Sequence, residues 1–299
     1  MRRIKSVLIV GGSGFLGSNL AIRLRDQFKV FATYFFNPIR IPGVTYLPFD
    51  ALKKDWVKRV AYTTEPDIII YIAGRDDVEW AEERPKDADR IHTSGAVSVL
   101  TNSDILQPKF VYVSNSYVFD GRRGNYKEKD VVLPSTNLGK TKLSSENYVK
   151  GRSLNHVVVR SSPILGVSNG KNYSFIDRLR YTLGAGKTAE LDNTKLHSFA
   201  PIYGLTDLIM QVSTSGIKNK TIHFGGLTRA TYYQVGKKFA ERFGYDTKLV
   251  QKKHIAGQST DQKPEWDYSL NSTYAVENLK VKPLLLEETF DLLDKHLIP

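Results

Sequence analysis

One stretch near the start of the 299-residue chain, residues 7–24, constrains the fold more than any other: VLIVGGSGFLGSNLAIRL. Gly11, Gly14 and Gly17 stand in the spacing GxxGxxG between an apolar run and an amphipathic stretch. Glycine permits the backbone angles of a tight strand-to-helix turn and lets the main chain approach a pyrophosphate closely. Amide groups at the helix start, at the positive end of its dipole, would hold the phosphates. The spacing therefore predicts a dinucleotide-binding turn; the alternative is a turn that only packs a helix on a strand.

The first half of the chain alternates β-branched runs with longer amphipathic stretches. The runs interpreted as strands are SVLIV (6–10), KVFATY (29–34), VTYLPF (44–49), DIIIYIAG (67–74), KFVYVSN (109–115) and HVVVRSS (156–162). The stretches interpreted as helices are 15–27, 52–61, 85–103 and 139–150. Nearly continuous apolar strands are typical of a parallel sheet that is covered on both faces. The order predicts the α/β class, with a Rossmann-type doubly wound parallel sheet.

The texture of the sequence changes after Pro163, where polar and charged loops become more frequent. The elements predicted there are a helix over 173–184, a loop-rich segment over 184–198, a strand over 221–226, a helix over 231–243 and an amphipathic helix over 282–299. We therefore expect a dinucleotide-binding domain over residues 1–162, completed by about 203–228. Residues 163–299 are expected to form a smaller α/β lobe that binds substrate.

The composition narrows the function classes. The net charge is +12, from 43 Lys and Arg against 31 Asp and Glu, which would suit nucleic acid. No run of five or more like charges occurs, so a solvated basic surface is favoured, and a small polyphosphate ligand would also suit the sign. The chain has no cysteine, and its six histidines show no HxxxH or HExxH pairing, so neither thiol chemistry nor a metal site is expected.

The hydropathy pattern bears on location. No run of about 18 apolar residues occurs, so no membrane span is expected. The apolar run SVLIV is too short for the core of a signal peptide, and the glycines after it belong to a folded motif. We therefore expect a cytoplasmic protein.

The segment after the second strand bears on the choice of dinucleotide. A carboxylate there would bind the ribose hydroxyls of NAD, but ATYFFNPIR offers Tyr34, Asn37 and Arg40 and no acid. The missing acid removes repulsion toward a 2′-phosphate, and Arg40 could pair with one. NADP is therefore predicted over NAD, which stays possible. Arg40 is alternatively a solvated loop residue.

Two further segments are predicted to line the cofactor site. Asp50 is placed to accept a hydrogen bond from the adenine amino group, or alternatively to cap the helix at 52–61. Small residues after the fourth strand would let the cofactor lie close, or merely end the strand in a turn. The predicted cofactor set is Gly11, Ser13, Gly14, Phe15, Leu16, Gly17, Tyr34, Asn37, Arg40, Asp50, Ala51, Ala73, Gly74 and Arg75.

Motifs along nearly the whole chain carry a family resemblance. They are GGSGFLG (11–17), VSNSYVFDG (113–121), NYKEKDVVLP (125–134), GKTKLSSE (139–146), VVRSSPILG (158–166), FAPIYGLTDL (199–208), TIHFGG (221–226) and QKPEWDYSL (262–270). With these, the chain resembles the extended short-chain dehydrogenase/reductase family. Within it, the chain is most similar to the dTDP-4-dehydrorhamnose reductases and to the regulatory beta subunit of methionine adenosyltransferase.

The resemblance implies ketone reduction by hydride from a nicotinamide, with a Ser or Thr that holds the carbonyl, a Tyr that gives the proton and a Lys that grips the ribose. Tyr and Lys are spaced YxxxK, one helical turn apart. The lysine position is Lys142, which is alternatively a solvent-facing helical lysine. The tyrosine position is Leu138, and the hydroxyl position is Asn115, followed by Ser116. Because leucine has no proton to donate, the site is expected to be degraded; a positioned acid is worth about 10²–10⁴ in rate.

The resemblance also implies substrate contacts in the second lobe. The candidates for diphosphate or base contacts are Lys171, Asn172, Lys195, His197 and Lys263, each of which is alternatively a hydrated loop residue. Lys263 stands before Pro264 where the family often has an Arg-Pro pair, so the charge is kept but the bidentate fork is lost.

Three functions stay open from the sequence. The first is an NADPH-dependent reductase of a nucleotide-activated 4-keto sugar. The second is an impaired, cofactor-binding regulatory or scaffold subunit, with a homodimer or a hetero-oligomeric partner. The third, a nucleic-acid or anionic-surface binder, is disfavoured because it leaves the cofactor motifs unexplained.

Overall fold

The computed structural model of the protein describes residues 5–170, 172–254 and 264–297. Its strands are, in chain order, β1 (Ser6–Val10), β2 (Lys29–Tyr34), β3 (Val44–Pro48), β4 (Ile68–Tyr71), β5 (Lys109–Asn115), β6 (His156–Ser161), β7 (Ile164–Leu165), β8 (Ala189–Leu191), β9 (Lys195–Ser198), β10 (Ala200–Pro201), β11 (Lys220–Phe224), β12 (Arg229–Ala230), β13 (Val250–Lys252) and β14 (Trp266–Asp267).

The helices are α1 (Phe15–Leu24), α2 (Lys54–Thr64), α3 (Val78–Glu83), α4 (Pro85–Asp89), α5 (Gly95–Ser103), α6 (Asn137–Arg152), α7 (Phe175–Gly184), α8 (Ile202–Thr214), α9 (Tyr232–Arg242), α10 (Thr273–Leu279) and α11 (Leu286–Leu297). A π-helical turn at Arg90–Ser94 joins α4 to α5, and 3₁₀ turns lie at Asp104–Leu106, Ser116–Val118 and Thr247–Leu249.

Seven strands form one sheet in the order β11-β6-β5-β4-β1-β2-β3. Every adjacent pair in it is parallel. The strand order reverses between β1 and β4, and in such sheets the crevice at the carboxyl ends of those strands is the usual ligand position. The predicted fold class, a Rossmann-type doubly wound sheet with helices on both faces, is confirmed.

Both faces of this sheet are packed, which explains the continuous apolar strands. All five residues of β1 and all four of β4 are buried. One face packs against Leu20 of α1 and Leu208 of α8, and the other against Val57 of α2 and Val99 of α5. Each such side chain contributes roughly 1.5–3 kcal/mol by its burial, so the two faces together fix the positions of the strand ends.

The helix predicted over 85–103 is interrupted by the π-helical turn. Tyr71 donates its hydroxyl proton to the Ile91 carbonyl at 2.6 Å, and Ser145 Oγ donates to the His92 carbonyl at 2.6 Å. Two carbonyls thus accept from side chains of β4 and α6. Insertion of side chains into the hydrogen-bond ladder is a common cause of such irregular turns. Because the inserted side chains come from β4 and α6, the sequence of residues 85–103 alone does not predict the interruption.

The part of the chain after Pro163 supplies both a second lobe and a piece of the first. The lobe contains the pairs β7–β10 and β8–β13 and the three strands β12–β9–β14, packed around Phe199, Phe239 and Phe290. The segment 184–198, expected to be loop-rich, contains β8 and β9. In the other direction, β11 pairs with β6, and α8 packs beside α1.

Candidate functional site

The turn between β1 and α1 has room for backbone only. Gly11 has a φ of 93°, in the left-handed region that favours glycine, and a Cβ there would lie 2.8 Å from Ala73 Cα. The Gly11 N–H donates to Thr33 Oγ1 at 3.0 Å, and the Ser13 N–H donates to the Thr33 carbonyl at 3.1 Å. Thus β2 fixes the turn on one side and the segment after β4 limits it on the other.

The N-terminus of α1 opens from this turn, and within the described ranges no side chain caps it. Gly14 is the N-cap, and the first turn, Phe15 to Gly17, carries no acid. The first amides of a helix lack intrahelical partners and lie at the positive end of its dipole. An anion there accepts hydrogen bonds from these amides and is attracted by the dipole. These residues fit the pyrophosphate of a dinucleotide. A nicotinamide dinucleotide held there would supply hydride transfer.

The segment after β2 meets a loop of the second lobe. Tyr34 and Asn37 are half-buried, and Arg40 is exposed. Asn37 Nδ2 donates to Asn172 Oδ1 at 3.3 Å, and Asn172 Nδ2 donates to the Ser13 carbonyl at 2.9 Å. Asn172, predicted as a substrate contact, therefore lies against the glycine turn, on the side of the predicted cofactor.

Asp50 follows β3 and forms a local turn. Its Oδ1 accepts from the Leu52 N–H at 3.0 Å. Because α2 begins at Lys54 and its N-cap is Lys53, the alternative expectation that Asp50 caps this helix is wrong. Ala51, beside it, packs against the core on the α2 and α5 face of the sheet.

The segment after β4, from Ala73 to Arg75, packs against a buried histidine, His92. Gly74 has a φ of 126°, and a Cβ there would overlap the His92 ring. A hydrogen bond of 3.1 Å joins His92 Nε2 to the Arg75 carbonyl. The Arg75 guanidinium lies on the surface, 2.7 Å from Asp77. The His92 ring thus leaves room for main chain only at Gly74, next to the Ala73 that limits the glycine turn.

Lys142 lies on α6 and is buried, not solvent-facing. Its side chain is 8% exposed, its Nζ donates to the Val113 carbonyl at 3.3 Å, and Asp76 Oδ1 lies 3.8 Å from it. Burial lowers the pKa of Lys142, while the charges of Asp76 and Glu146 oppose that shift. The ammonium group therefore sits at the carboxyl end of β5 with one carboxylate close by.

Leu138 lies on α6 one turn before Lys142 and is 0% exposed. It packs with Ala81 of α3 and Ala88 of α4, and Trp80 and Tyr117 pack against the same cluster. Thr136 caps the helix by accepting from the Gly139 N–H at 3.1 Å. A hydrocarbon side chain therefore fills this position of α6.

Asn115 has both ends of its amide occupied. It is 3% exposed; its Nδ2 donates to Asp76 Oδ1 at 2.7 Å, and its Oδ1 accepts from the Tyr117 N–H at 3.0 Å. Sequence reasoning missed Asp76. The available signal was its place directly after Gly74 and Arg75, at the end of a buried parallel strand.

Two tyrosines, in β5 and in the turn after it, are candidates for a proton donor beside Lys142. Tyr112 lies under the lysine, whose Nζ is 5.8 Å from the ring centroid, and is 0% exposed. Tyr117 turns its hydroxyl toward His197, with 3.5 Å between Oη and Nε2. Burial raises the pKa of both tyrosines well above the ordinary value, so neither is a ready proton donor.

Of the substrate residues predicted in the second lobe, Lys195 and His197 both lie on β9, whereas Asn172 lies against the glycine turn. Lys195 forms an ion pair with Asp192 at 2.8 Å. His197 is 0% exposed among aromatic rings, and burial lowers its pKa to about 3, so its ring is neutral and supplies no charge for a diphosphate. That location does not support the expected contact. Lys171 and Lys263 lie outside the described residues.

Residues 5–170, 172–254 and 264–297 contain no group of three or more His, Asp or Glu side chains placed to hold a metal ion. Across the same ranges, every helix falls short of the length and apolar character that crossing a bilayer requires.

Fold and site together define a class, the extended short-chain dehydrogenases/reductases, through the glycine turn on a doubly wound sheet and the buried lysine of α6. More narrowly, the chain belongs to the family described as the RmlD substrate binding domain, whose model matches residues 5–281.

Similar proteins include two named as reductases and one named as a subunit. The probable low-salt glycan biosynthesis reductase Agl14 of Haloferax volcanii is 25% identical over 83% of each chain. The methionine adenosyltransferase 2 subunit beta of Bos taurus is 22% identical over 80% of this chain and 72% of its own. Among solved structures, dTDP-4-dehydrorhamnose reductase of Bacillus anthracis, in complex with NADP, has a TM-score of 0.81 at 20% identity, covering 98% of this chain and all of that one; that likeness concerns the fold.

Proposed function

We propose that this protein binds a nicotinamide dinucleotide, NADP in preference to NAD, and acts as a cofactor-binding regulatory or scaffold subunit with an impaired reductase site. The observation that carries the proposal is the fully buried Leu138, one helical turn from Lys142. The glycine turn and the uncapped start of α1 support the binding half of the proposal.

The chemistry of the site argues against tyrosine-type ketone reduction. An acid placed one turn from the lysine gives a proton to the alkoxide as hydride arrives, and such an acid is worth about 3–5 kcal/mol of barrier. Leu138 has no proton to give. Asn115 could still donate to a carbonyl oxygen, but its Nδ2 is engaged by Asp76 in this structure.

A protein partner is part of this proposal. The beta subunit of methionine adenosyltransferase 2, a relative over most of this chain, is by its name a subunit of an assembly. A chain that binds a dinucleotide but has no proton donor for ketone reduction suits the role of a non-catalytic subunit in an assembly. The partner can be a second copy of this chain or a different protein.

A second candidate function is a working NADPH-dependent reductase of a nucleotide-activated 4-keto sugar. Retention of the buried Lys142 favours it, as do relatives named as reductases. In that case the proton comes from water or from the ligand, and the reaction is slow by the factor that the missing acid would have provided.

A titration of purified protein with NADPH and with NADH, followed by tryptophan fluorescence and thermal stability, tests the binding half. Gly11→Ala should abolish binding because its Cβ meets Ala73 and its φ is strained. Gly151→Ala is the matched control, since a Cβ there has nothing within 4 Å among the described atoms. Binding retained in Gly11→Ala, or absent in the wild type at millimolar dinucleotide, would overturn the proposal.

The lysine provides a second comparison on the same helix. Lys142→Ala should weaken NADPH binding several-fold, whereas the exposed Lys140→Ala should leave it unchanged. Equal affinities of the two variants would remove Lys142 from the cofactor site. Ketone-dependent consumption of NADPH at ordinary enzyme rates would favour the second candidate.

A further inference from the structure

Asp76 is a carboxylate held in place beside the reactive end of the predicted cofactor site. Its Oδ1 accepts from Asn115 Nδ2 at 2.7 Å and lies 3.8 Å from Lys142 Nζ. Within the described ranges its Oδ2 has no hydrogen-bond donor. The side chain is 53% exposed, whereas that of Lys142 is 8% exposed. The carboxylate is therefore the more exposed member of the pair.

Lys142 partly offsets the charge of Asp76, and the two charged residues on either side of Asp76 in the chain are paired with each other. Arg75 and Asp77 pair with each other at 2.7 Å and lie toward the surface. The pKa of Tyr117 and that of Tyr232, each raised first by burial, are raised further by the charge of Asp76. The carboxylate thus acts on groups of both lobes.

A nicotinamide dinucleotide differs in charge between its two redox states at one place. The oxidised ring carries a positive charge and the reduced ring is neutral, while the phosphates and riboses are the same. A nearby carboxylate therefore stabilises the oxidised form selectively, and the effect is larger in a partly buried site than in water. Because the family resemblance assigns Lys142 to the ribose next to that ring, Asp76 neighbours the ring as well.

We propose that Asp76 is a specificity-determining residue that makes the site bind the oxidised dinucleotide more tightly than the reduced one. This role of Asp76 rests on the proposed function, and it makes the redox state of the dinucleotide the property that the site distinguishes. A protein without a proton donor that holds the oxidised form preferentially would report the redox state of the cofactor pool to its partner.

Calorimetric titrations of NADP⁺ and NADPH into the wild type, Asp76→Asn and Asp104→Asn test this. Asparagine keeps the shape of Asp76 and its bond to Asn115, and Asp104 is an exposed acid outside the site. The wild type should bind NADP⁺ about tenfold more tightly than NADPH. Asp76→Asn should bring the ratio close to one, chiefly by weakening NADP⁺, while Asp104→Asn keeps the wild-type ratio.

Thermal melts of the free variants show that they are folded. An equal affinity of the wild type for both forms, or an unchanged ratio in Asp76→Asn, overturns the role of Asp76 and leaves the proposed function standing. Binding of neither form to the wild type overturns the proposed function and this inference with it.

Discussion

At the scale of single residues, the site is defined by what stands at position 138. By the family resemblance this position would carry a phenol, and here a leucine fills a closed cluster with Ala81, Ala88 and Trp80. The leucine at this position therefore takes part in the packing of α3 and α4 against α6. A larger side chain must displace these neighbours.

Leu138→Tyr separates the chemical consequence from the packing consequence. We expect it to lower the free energy of unfolding by about 1–3 kcal/mol, because the added ring overpacks a closed site. We also expect ketone-dependent NADPH oxidation to rise above the wild-type background, since a proton donor returns one turn from Lys142. Urea unfolding and a spectrophotometric assay measure the two effects.

The matched control for this variant is Leu154→Tyr, at a leucine that is 88% exposed. It should change the unfolding free energy by no more than about 0.5 kcal/mol and leave activity unchanged. If Leu138→Tyr were as stable as the wild type, the site around residue 138 would not be closed.

At the scale of elements, α6 positions Lys142 because a buried ion pair anchors the helix to β6. Glu146, one turn after the lysine and 0% exposed, accepts from Arg160 Nε at 2.9 Å and from Nη2 at 2.7 Å. Lys150 adds a third bond at 2.8 Å. Burial raises the pKa of Glu146, but the hydrogen bonds and charges of Arg160 and Lys150 together outweigh it, so the net shift of the pKa is downward.

Glu146→Ala should cost about 3–5 kcal/mol of unfolding free energy because it leaves the Arg160 guanidinium buried without its partner. Asp207→Ala, which removes a half-exposed ion pair with Arg23, should cost about 0–1 kcal/mol. Chemical denaturation of both variants makes the comparison. A similar cost for the two would mean that the buried pair does not anchor α6.

At the scale of the whole molecule, buried neutral histidines make stability depend on pH. Burial lowers the pKa of His197 and that of His223 to about 3, against an ordinary value of 6.5. As the pH falls below about 6.5, the unfolded chain takes up these protons and the folded chain does not. The stability that these groups provide is complete above that pH and is lost progressively toward pH 3.

The free energy of unfolding should therefore fall by up to about 1.4 kcal/mol per pH unit for each of these histidines in that window. His197→Phe keeps an aromatic ring in the cluster and should reduce the acid dependence by about one proton. Substitution of the exposed His254 in His254→Gln should leave the acid dependence of the unfolding free energy unchanged. Urea titrations between about pH 7 and pH 4 measure the slopes; equal slopes in wild type and His197→Phe would contradict the assignment.

The sequence predicts what is local and misses what depends on distant contacts. The glycine turn and the parallel strands follow from spacing and hydrophobic pattern, Lys142 was identified through the family resemblance, and the fold class is confirmed. The strands β8 and β9 were missed because they are short and pair with β13, β12 and β14, far along the chain. Asp76 was missed because its role arises only where β4, β5 and α6 meet.

The central claim is that the site binds a nicotinamide dinucleotide but lacks the acid for ketone reduction. The most direct test is one titration of the wild type with NADPH to saturation, followed in the same cuvette by dTDP-4-dehydrorhamnose while the nicotinamide absorbance is recorded. We predict saturable binding and no loss of absorbance above the uncatalysed background. Multiple turnovers, or no binding at all, would contradict the account.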